Sequence, residues 1–323
     1  MNTLHETMPL LGTLCLLYTG CALLLACLLA GAAIGGTLRR RGHAERDALL
    51  RAHYLHTLMM TLSGELREVP RFPQLDRRGS RRILCETVAG VVAITYGLDG
   101  EVLRRIVDRG ALDRWLLRRC RRSHGYRRAR NLALLAALPG DGLRAEAVAP
   151  YLRSRNRYVR FYALTVQLTA DPAHAVQHIG AYPEPLSAVE VAELVALLRR
   201  GILPLAYGPL LEARRLNLRR VGLAIVRQFG VEEAEGRLLQ FLADTSQPEL
   251  GREALYALCA LRRPLLRREV ALSITGMNAR ERQALLRRMA FEGYAPATMQ
   301  RLFDEAERPY YERLIRSYKR SLA

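Results

Sequence analysis

His174 and His178 stand four residues apart in a stretch of helical periodicity, so they share one face. Two imidazoles at that spacing make half a zinc site, and in HExxH the intervening Glu activates a water. Here the run reads HAVQH, with no glutamate so placed and no third ligand evident. His53 and His56, three apart, offer no more, and both pairs read as structural or surface histidines. Of six cysteines, Cys15, Cys21 and Cys27 lie in an apolar N-terminal stretch, and Cys85, Cys120 and Cys259 are scattered through helical contexts. No CxxC occurs, which argues against a zinc or thioredoxin-type site and for buried free thiols in a reducing compartment. There is no GxxxxGK[ST], no GxGxxG and no GxSxG. Arg77-Arg78-Gly79-Ser80 resembles a basophilic phosphorylation site, but it is short enough to arise by chance. The expectation is no catalytic residue, no metal and no cofactor, and hence not an enzyme.

The remaining functional groups are guanidiniums. The chain has 323 residues, 50 basic against 31 acidic, for a formal charge of +19, and Lys319 is its single lysine. Between Arg104 and Arg130 eleven arginines face only Asp108 and Asp113. A second cluster holds Arg153, Arg155, Arg157 and Arg160, and arginine pairs recur at 214–215, 219–220, 262–263, 267–268 and 287–288. Such density suits an acidic protein, anionic lipid or nucleic-acid phosphate. The competing account is a solvated face whose arginines pair internally with carboxylates. Candidate partner-binding residues are Arg118, Arg119, Arg121, Arg122, Arg153, Arg157 and Arg160.

The N-terminal elements set location. No charged side chain occurs from Thr7 to Leu38, and Arg39-Arg40-Arg41 closes the run. About 20 apolar residues span a bilayer as a helix, so residues 9–38 are read as a transmembrane helix. A secretory or lipoprotein signal would need a basic n-region, which is missing. Residues 1–8 carry no Lys or Arg, so the positive-inside rule puts this tail outside and the C-terminal bulk in the cytoplasm. That is a single-pass protein of the bacterial inner membrane. Gly31 and Gly35 form a GxxxG, a candidate for helix–helix packing in the bilayer. Residues 39–79 read as a juxtamembrane helix and a linker. In the helix Ala48, Ala52, Leu55, Met59 and Leu62 recur at helical spacing; the linker carries Pro70, Pro73 and Gly79.

After the linker the period is helical nearly throughout. Breaks fall at Leu98-Asp99-Gly100, Pro139 to Gly142, Asp171-Pro172, Tyr182-Pro183, Gly201, Gly230, Gln247-Pro248 and Gly276. They imply an all-α fold of paired helices, each about 10–18 residues long. Four segments align: Ala129-Arg130-Asn131-Leu132-Ala133-Leu134, Val159-Arg160-Phe161-Tyr162-Ala163-Leu164, Leu218-Arg219-Arg220-Val221-Gly222-Leu223 and Leu250-Gly251-Arg252-Glu253-Ala254-Leu255. Their starts are 30, 59 and 32 residues apart, so the period is near 30. Val159-Arg160-x-x-Ala163-Leu164 followed by Asp171-Pro172 resembles the second helix of a HEAT repeat, and Ala129-Arg130-x-x-Ala133-Leu134 resembles another. Gly251 departs from the pattern, which has Arg there. The resemblance implies an α-solenoid over residues 80–296, in which that Arg pairs with an acidic group of a neighbouring unit. Residues 297–323 read as capping helices, with Leu302, Phe303, Tyr310, Leu314 and Tyr318 over the last core.

The functional expectation is a membrane-anchored HEAT-like scaffold. It would dock protein partners of a membrane-associated complex on its basic cytoplasmic surface, and touch the bilayer through residues 9–38. Direct binding of nucleic acid or anionic lipid is the alternative. More remote is a HEAT-like DNA glycosylase, for which Trp115 and Asp113 would be the aromatic and acidic groups.

Overall fold

The computed structural model describes residues 44–322, apart from positions 67, 70, 78, 96, 140–141, 200–204 and 245. The expected membrane helix 9–38, with Gly31 and Gly35, lies outside the described residues. Among those described, no helix is long and apolar enough to cross a membrane, and no strand occurs. The chain forms two compact units, divided between Gly90 and Val91.

The first unit contains helix α1 (44–62) and most of α2 (Ser80–Ile94). The spacing of Ala48, Ala52, Leu55, Met59 and Leu62 suggests the buried seam of α1, but the seam lies elsewhere. Tyr54, Leu58 and Thr61 are buried, whereas Leu55 and Met59 are exposed and Leu49 keeps 74% of its surface. Tyr54 decides the rotation of the helix. Its ring meets Phe72 edge-on at 5.7 Å, and its hydroxyl donates to the Pro73 carbonyl at 2.6 Å. A large aromatic with a satisfied hydroxyl, packed on Phe72, anchors this face even though the competing one carries Leu55 and Met59. Arg51 and Arg82 both reach Glu86.

The second unit begins with α3 (Gly100–Arg109), α4 (Leu112–Arg122) and α5 (Gly125–Ala137). Thereafter short and long helices alternate. The long ones are α7 (Arg157–Ala170), α9 (Ala188–Arg199), α11 (Leu216–Phe229), α13 (Pro248–Ala260), α15 (Ala279–Phe291) and α17 (Arg308–Leu322), of 12–15 residues. The short ones are α6 (Gly142–Val148), α8 (Ala175–Ala181), α10 (Tyr207–Glu212), α12 (Glu235–Ala243), α14 (Arg268–Thr275) and α16 (Pro296–Leu302), of 6–9 residues. The expected 10–18 residues therefore holds for α2 to α5, but from α6 onward for every second helix only. Short 3-10 turns at Ala149–Arg153, Pro172–His174 and Glu232–Ala234 take up sequence that would otherwise lengthen a helix.

Helix ends follow local chemistry. Asp99 caps α3 through the amides of Glu101 and Val102, and Asn156 caps α7 through Val159. Asn278 and Glu281 form a capping box on α15. Gly230 ends α11 with a left-handed φ of 69°, a conformation that costs glycine little.

Successive long helices touch: α5 with α7, α9 with α11, α11 with α13, α13 with α15, and α15 with α17. The aligned small residues sit at these and neighbouring contacts. Ala163 and Ala254 are fully buried. A Cβ on Gly222 would lie 3.1 Å from Leu210 Cβ and 3.2 Å from the Leu211 amide nitrogen, so glycine sets how closely α10 and α11 cross. Gly251, the departure from the repeat pattern, has its own reason: a Cβ there would stand 3.3 Å from the Phe241 carbonyl on α12. At the C-terminal end Phe303 joins the buried core, with Leu302, Tyr310, Leu314 and Tyr318 packed against it. The most deeply buried residue there is Tyr311, whose hydroxyl donates to the Tyr294 carbonyl at 2.8 Å.

Candidate functional site

The arginines in and beside the aligned segments divide into two sets by the direction in which they reach. Arg160 and Arg219 reach back, each donating to the carbonyl six residues earlier, Ser154 at 2.5 Å and Ala213 at 2.6 Å. They fasten the start of α7 and of α11 to the preceding turn. Arg157, Arg220, Arg252 and Arg282 reach forward, to Glu190, Glu249, Glu281 and Glu307 respectively. Each acidic partner lies 25–33 residues on, about one repeat. Arg220 also approaches Glu253 at 3.3 Å, and Arg160 pairs with Glu184 at 2.5 Å. Arg263 and Arg267 both reach Glu235.

The segment Tyr182 to Ser187, between α8 and α9, is where these contacts converge. Arg157 holds Glu190 through two parallel bonds, Nε to Oε1 at 2.9 Å and Nη2 to Oε2 at 2.6 Å, and also donates to the Pro185 carbonyl at 2.9 Å. Such a fork is the strong geometry for a guanidinium and a carboxylate. Ser187 and Glu190 cap α9 reciprocally: the Ser187 amide donates to Glu190 at 2.7 Å, and the Glu190 amide to Ser187 Oγ at 3.3 Å. From α11, the buried Asn217 accepts from the Leu186 amide at 2.8 Å and donates to the Glu184 carbonyl at 2.8 Å, while Arg220 donates to the Leu186 carbonyl at 3.0 Å. Burial pushes the Glu190 carboxyl up, but the Arg157 and Ser187 hydrogen bonds outweigh it and hold it below the usual carboxylate range.

Arg144 makes a further buried junction. It is 2% exposed. It donates to Asp113 at 2.6 Å and to the Leu138 and Leu135 carbonyls at 2.8 and 3.3 Å. Asp113 is thereby tied to a structural cation, and Arg119 lies 5.0 Å from the ring centre of Trp115. Neither the acidic nor the aromatic group invoked for a glycosylase is left unengaged.

Arg118, Arg119, Arg121 and Arg122 are all exposed. Arg118 donates only along its own helix, to the Arg114 carbonyl at 3.1 Å. None of the four makes an ion pair with another described residue. Arg119, Arg121 and Arg122 occupy the last turn of α4, where the helix dipole favours cations. Yet 118 and 122, and 119 and 122, are like charges at i,i+4 and i,i+3, which repel by about 0.2–0.5 kcal/mol each. Arg153 is exposed in the 3-10 turn after α6. The structure therefore splits the seven candidates. Arg157 and Arg160 are bound into the frame of the unit, and the other five face solvent.

The remaining groups have structural partners. Asp171 bridges His174 at 2.9 Å and His178 at 3.4 Å. Its hydrogen bond to His174, ahead of that to His178, holds its carboxyl below the ordinary value. Cys85, Cys120 and Cys259 are buried and not in disulfides, and burial pushes the Cys120 and Cys259 thiols up to about 12, far from a reactive thiolate. No group of three metal-ligating side chains able to hold an ion occurs among the described residues. Sequence reading did not single out Arg144, Glu190 or Asn217. Ser187-Ala188-Val189-Glu190 does carry the S-x-x-E capping signal, but nothing local marks a buried Asn or Arg that bonds a distant backbone.

A scan against protein-family models finds no match for this chain, and a search of curated proteins finds none.

Proposed function

We propose that this protein is a docking scaffold: a HEAT-like helical-repeat body, held at the bacterial inner membrane by residues 9–38, that collects an acidic protein partner on its cytoplasmic face. The observation that carries the reading is the α4 surface. Arg118, Arg119, Arg121 and Arg122 crowd two turns of helix without a carboxylate partner among the described residues, while comparable arginines from α7 onward are matched across repeats. A face of like charges gains when an opposite charge docks on it, and guanidinium forks favour carboxylates. Arg153 extends the surface. Arg157 and Arg160, being engaged, contribute field rather than contact. Anchoring would raise the concentration of the scaffold near membrane-bound clients.

Direct binding of nucleic acid is the runner-up. It is favoured by Tyr126 and Tyr158, which are 76% and 65% exposed and stand beside Arg127 and Arg157. Exposed aromatics among arginines suit base stacking.

One experiment separates the two. Full-length protein with Arg118, Arg119, Arg121 and Arg122 all changed to Glu is crosslinked in native membranes and compared with the parent. Loss of a specific crosslinked protein supports docking, and an unchanged crosslink profile overturns it. In parallel, binding of single-stranded DNA and RNA is titrated with salt. Micromolar binding that falls steeply with salt would favour the runner-up.

A further inference from the structure

On α11, Arg220 is matched to Glu249 and Glu253. Arg227 stands seven residues on, two turns along the same helix face, yet it makes no hydrogen bond or ion pair with any other described residue. Loss of surrounding water, and then the nearness of Arg288, lowers its proton affinity from the ordinary arginine value. Arg287 on α15 is exposed and likewise unmatched among the described residues. Both line a groove of about 430 Å³ with Tyr256, Phe291 and Tyr318. Arg288, the third cation there, is already neutralised by Glu292 at 2.8 Å and lies 5.5 Å from the ring centre of Phe291. Phe291 is 61% exposed and meets Tyr318 nearly edge-on at 5.8 Å. The groove therefore combines two guanidiniums that make no ion pair with a described residue, Arg227 with Glu253 nearby and acting against the other two influences, with the largely exposed ring of Phe291.

A second groove, of about 490 Å³, shares Arg227 and Tyr256 with the first and is lined further along by Glu249, Glu253 and Glu281. Burial raises the Glu253 carboxyl above its ordinary value despite the nearby Arg220. This mixture of signs selects among anions. A nucleic-acid strand carries a charge at every step, but beyond Arg227 the arginines of this groove, Arg220 and Arg252, are already matched to its glutamates and leave no cation for successive phosphates. A peptide can set one carboxylate where the cations are and offer backbone N–H groups where the glutamates are.

We propose that the groove across α11, α13 and α15 receives an acidic peptide segment of a protein partner, with one carboxylate between Arg227 and Arg287 and a neighbouring apolar side chain on Phe291. The inference shares with the docking reading only that the ligand is a protein. It concerns a different face and a different set of arginines.

A random dodecapeptide library displayed on phage, panned against the full-length protein in detergent, tests it. Selected sequences should pair Asp or Glu with Phe, Tyr or Leu, and their affinity should fall about tenfold in Arg227→Glu and in Arg287→Glu. Replacing the selected acid by Asn should cost about as much. Phe291→Ala and Arg287→Ala change exposed side chains and leave the core intact, so a weakened peptide in these variants cannot be ascribed to unfolding. Failure to enrich acidic-apolar sequences, equal binding by the Glu variants, or tighter binding of a single-stranded oligonucleotide that displaces the peptide would overturn the proposal. Reversal of the four α4 arginines should leave peptide affinity unchanged, so this inference and the α4 docking reading fail separately.

Discussion

Helices α4 and α7 are each about three turns long and each rich in arginine, and they use it in opposite ways. On α7, Arg157 finds Glu190 on α9 about one repeat ahead and Arg160 finds Glu184 in the segment before α9, so the cations become fasteners of the frame. On α4, Arg118, Arg119, Arg121 and Arg122 are exposed and make no ion pair with a described residue, Arg118 bonding the Arg114 carbonyl of its own helix and Arg119 lying by the ring of Trp115. Formal charge is thus a poor guide to where a basic protein can bind. What separates the two helices is the supply of carboxylates at the right distance. Residues 104–130 hold only two, and Asp113 of these is committed to the buried Arg144. From Arg157 onward acidic residues recur with the repeat and match many of the arginines, Arg227 and Arg287 excepted among the described residues. Unmatched arginines therefore crowd most densely on α4, even though arginine is spread over the whole chain.

The comparison is most exposed to failure at Arg144, the arginine of the α4 neighbourhood that behaves like those of the later helices. Arg144→Ala would strand Asp113 and the Leu135 and Leu138 carbonyls in a buried site. It should lower stability by about 3–5 kcal/mol in urea denaturation, and a loss under about 1 kcal/mol would mean the junction is not structural.

Next in size is Gly222→Ala. A methyl there meets Leu210 and the Leu211 backbone inside ordinary contact distance, so the crossing of α10 and α11 must open, at about 1–3 kcal/mol. A neutral or stabilising result would show that the closeness of that crossing is not what the glycine serves.

A double-mutant cycle on Arg157 and Glu190, each to Ala, should give a coupling of about 1–2 kcal/mol. The pair is bidentate but Arg157 is partly exposed, which discounts the buried-pair value. Acid should erase that coupling. The Glu190 carboxyl lies below its ordinary value in the folded chain, so its ionised form adds stability above about pH 4.3, and that contribution disappears as pH falls through the lower, folded value. Glu190→Gln and parent should therefore converge in stability in acid, as read by thermal melts across pH. Divergence toward low pH would reverse the sign of the argument.

The smallest effect is the most pointed. Arg118→Glu converts a repulsive i,i+4 pair with Arg122 into an attractive one, and should stabilise by about 0.3–0.5 kcal/mol. Arg252→Glu, the same change in a forward-reaching position, should destabilise by placing two carboxylates together where Arg252 now meets Glu281. Equal signs for the two would erase the distinction between the helices.

Much of the frame was legible residue by residue. The breaks at Asp99, Asp171-Pro172, Gly230 and Pro248 all fall at helix ends, because capping, a fixed φ and a left-handed backbone are local properties. The aligned Ala163, Gly222 and Ala254 are buried. Of the arginines that the likeness to HEAT repeats puts against a neighbouring acid, Arg160 meets Glu184, whereas Arg219 bonds the Ala213 carbonyl, and the pairing passes to Arg220 and Arg252, one position later. The α1 helix was legible from its spacing, but not which face is buried, which Tyr54 against Phe72 decides. The seven candidate arginines were not separable by pattern either, since Arg121 and Arg157 occupy equally basic stretches.

Sequence by itself determined what depends on neighbours along the chain: an all-helical body, its turns, its period near 30 and its excess of guanidinium. Tertiary structure decided which guanidiniums are spoken for. That choice depends on whether a carboxylate or a backbone carbonyl some 30 residues away comes within about 3 Å, as Glu190 does for Arg157. Periodicity can suggest such a meeting, but only the packing of one helix on the next completes it at Arg157 and withholds it at Arg227.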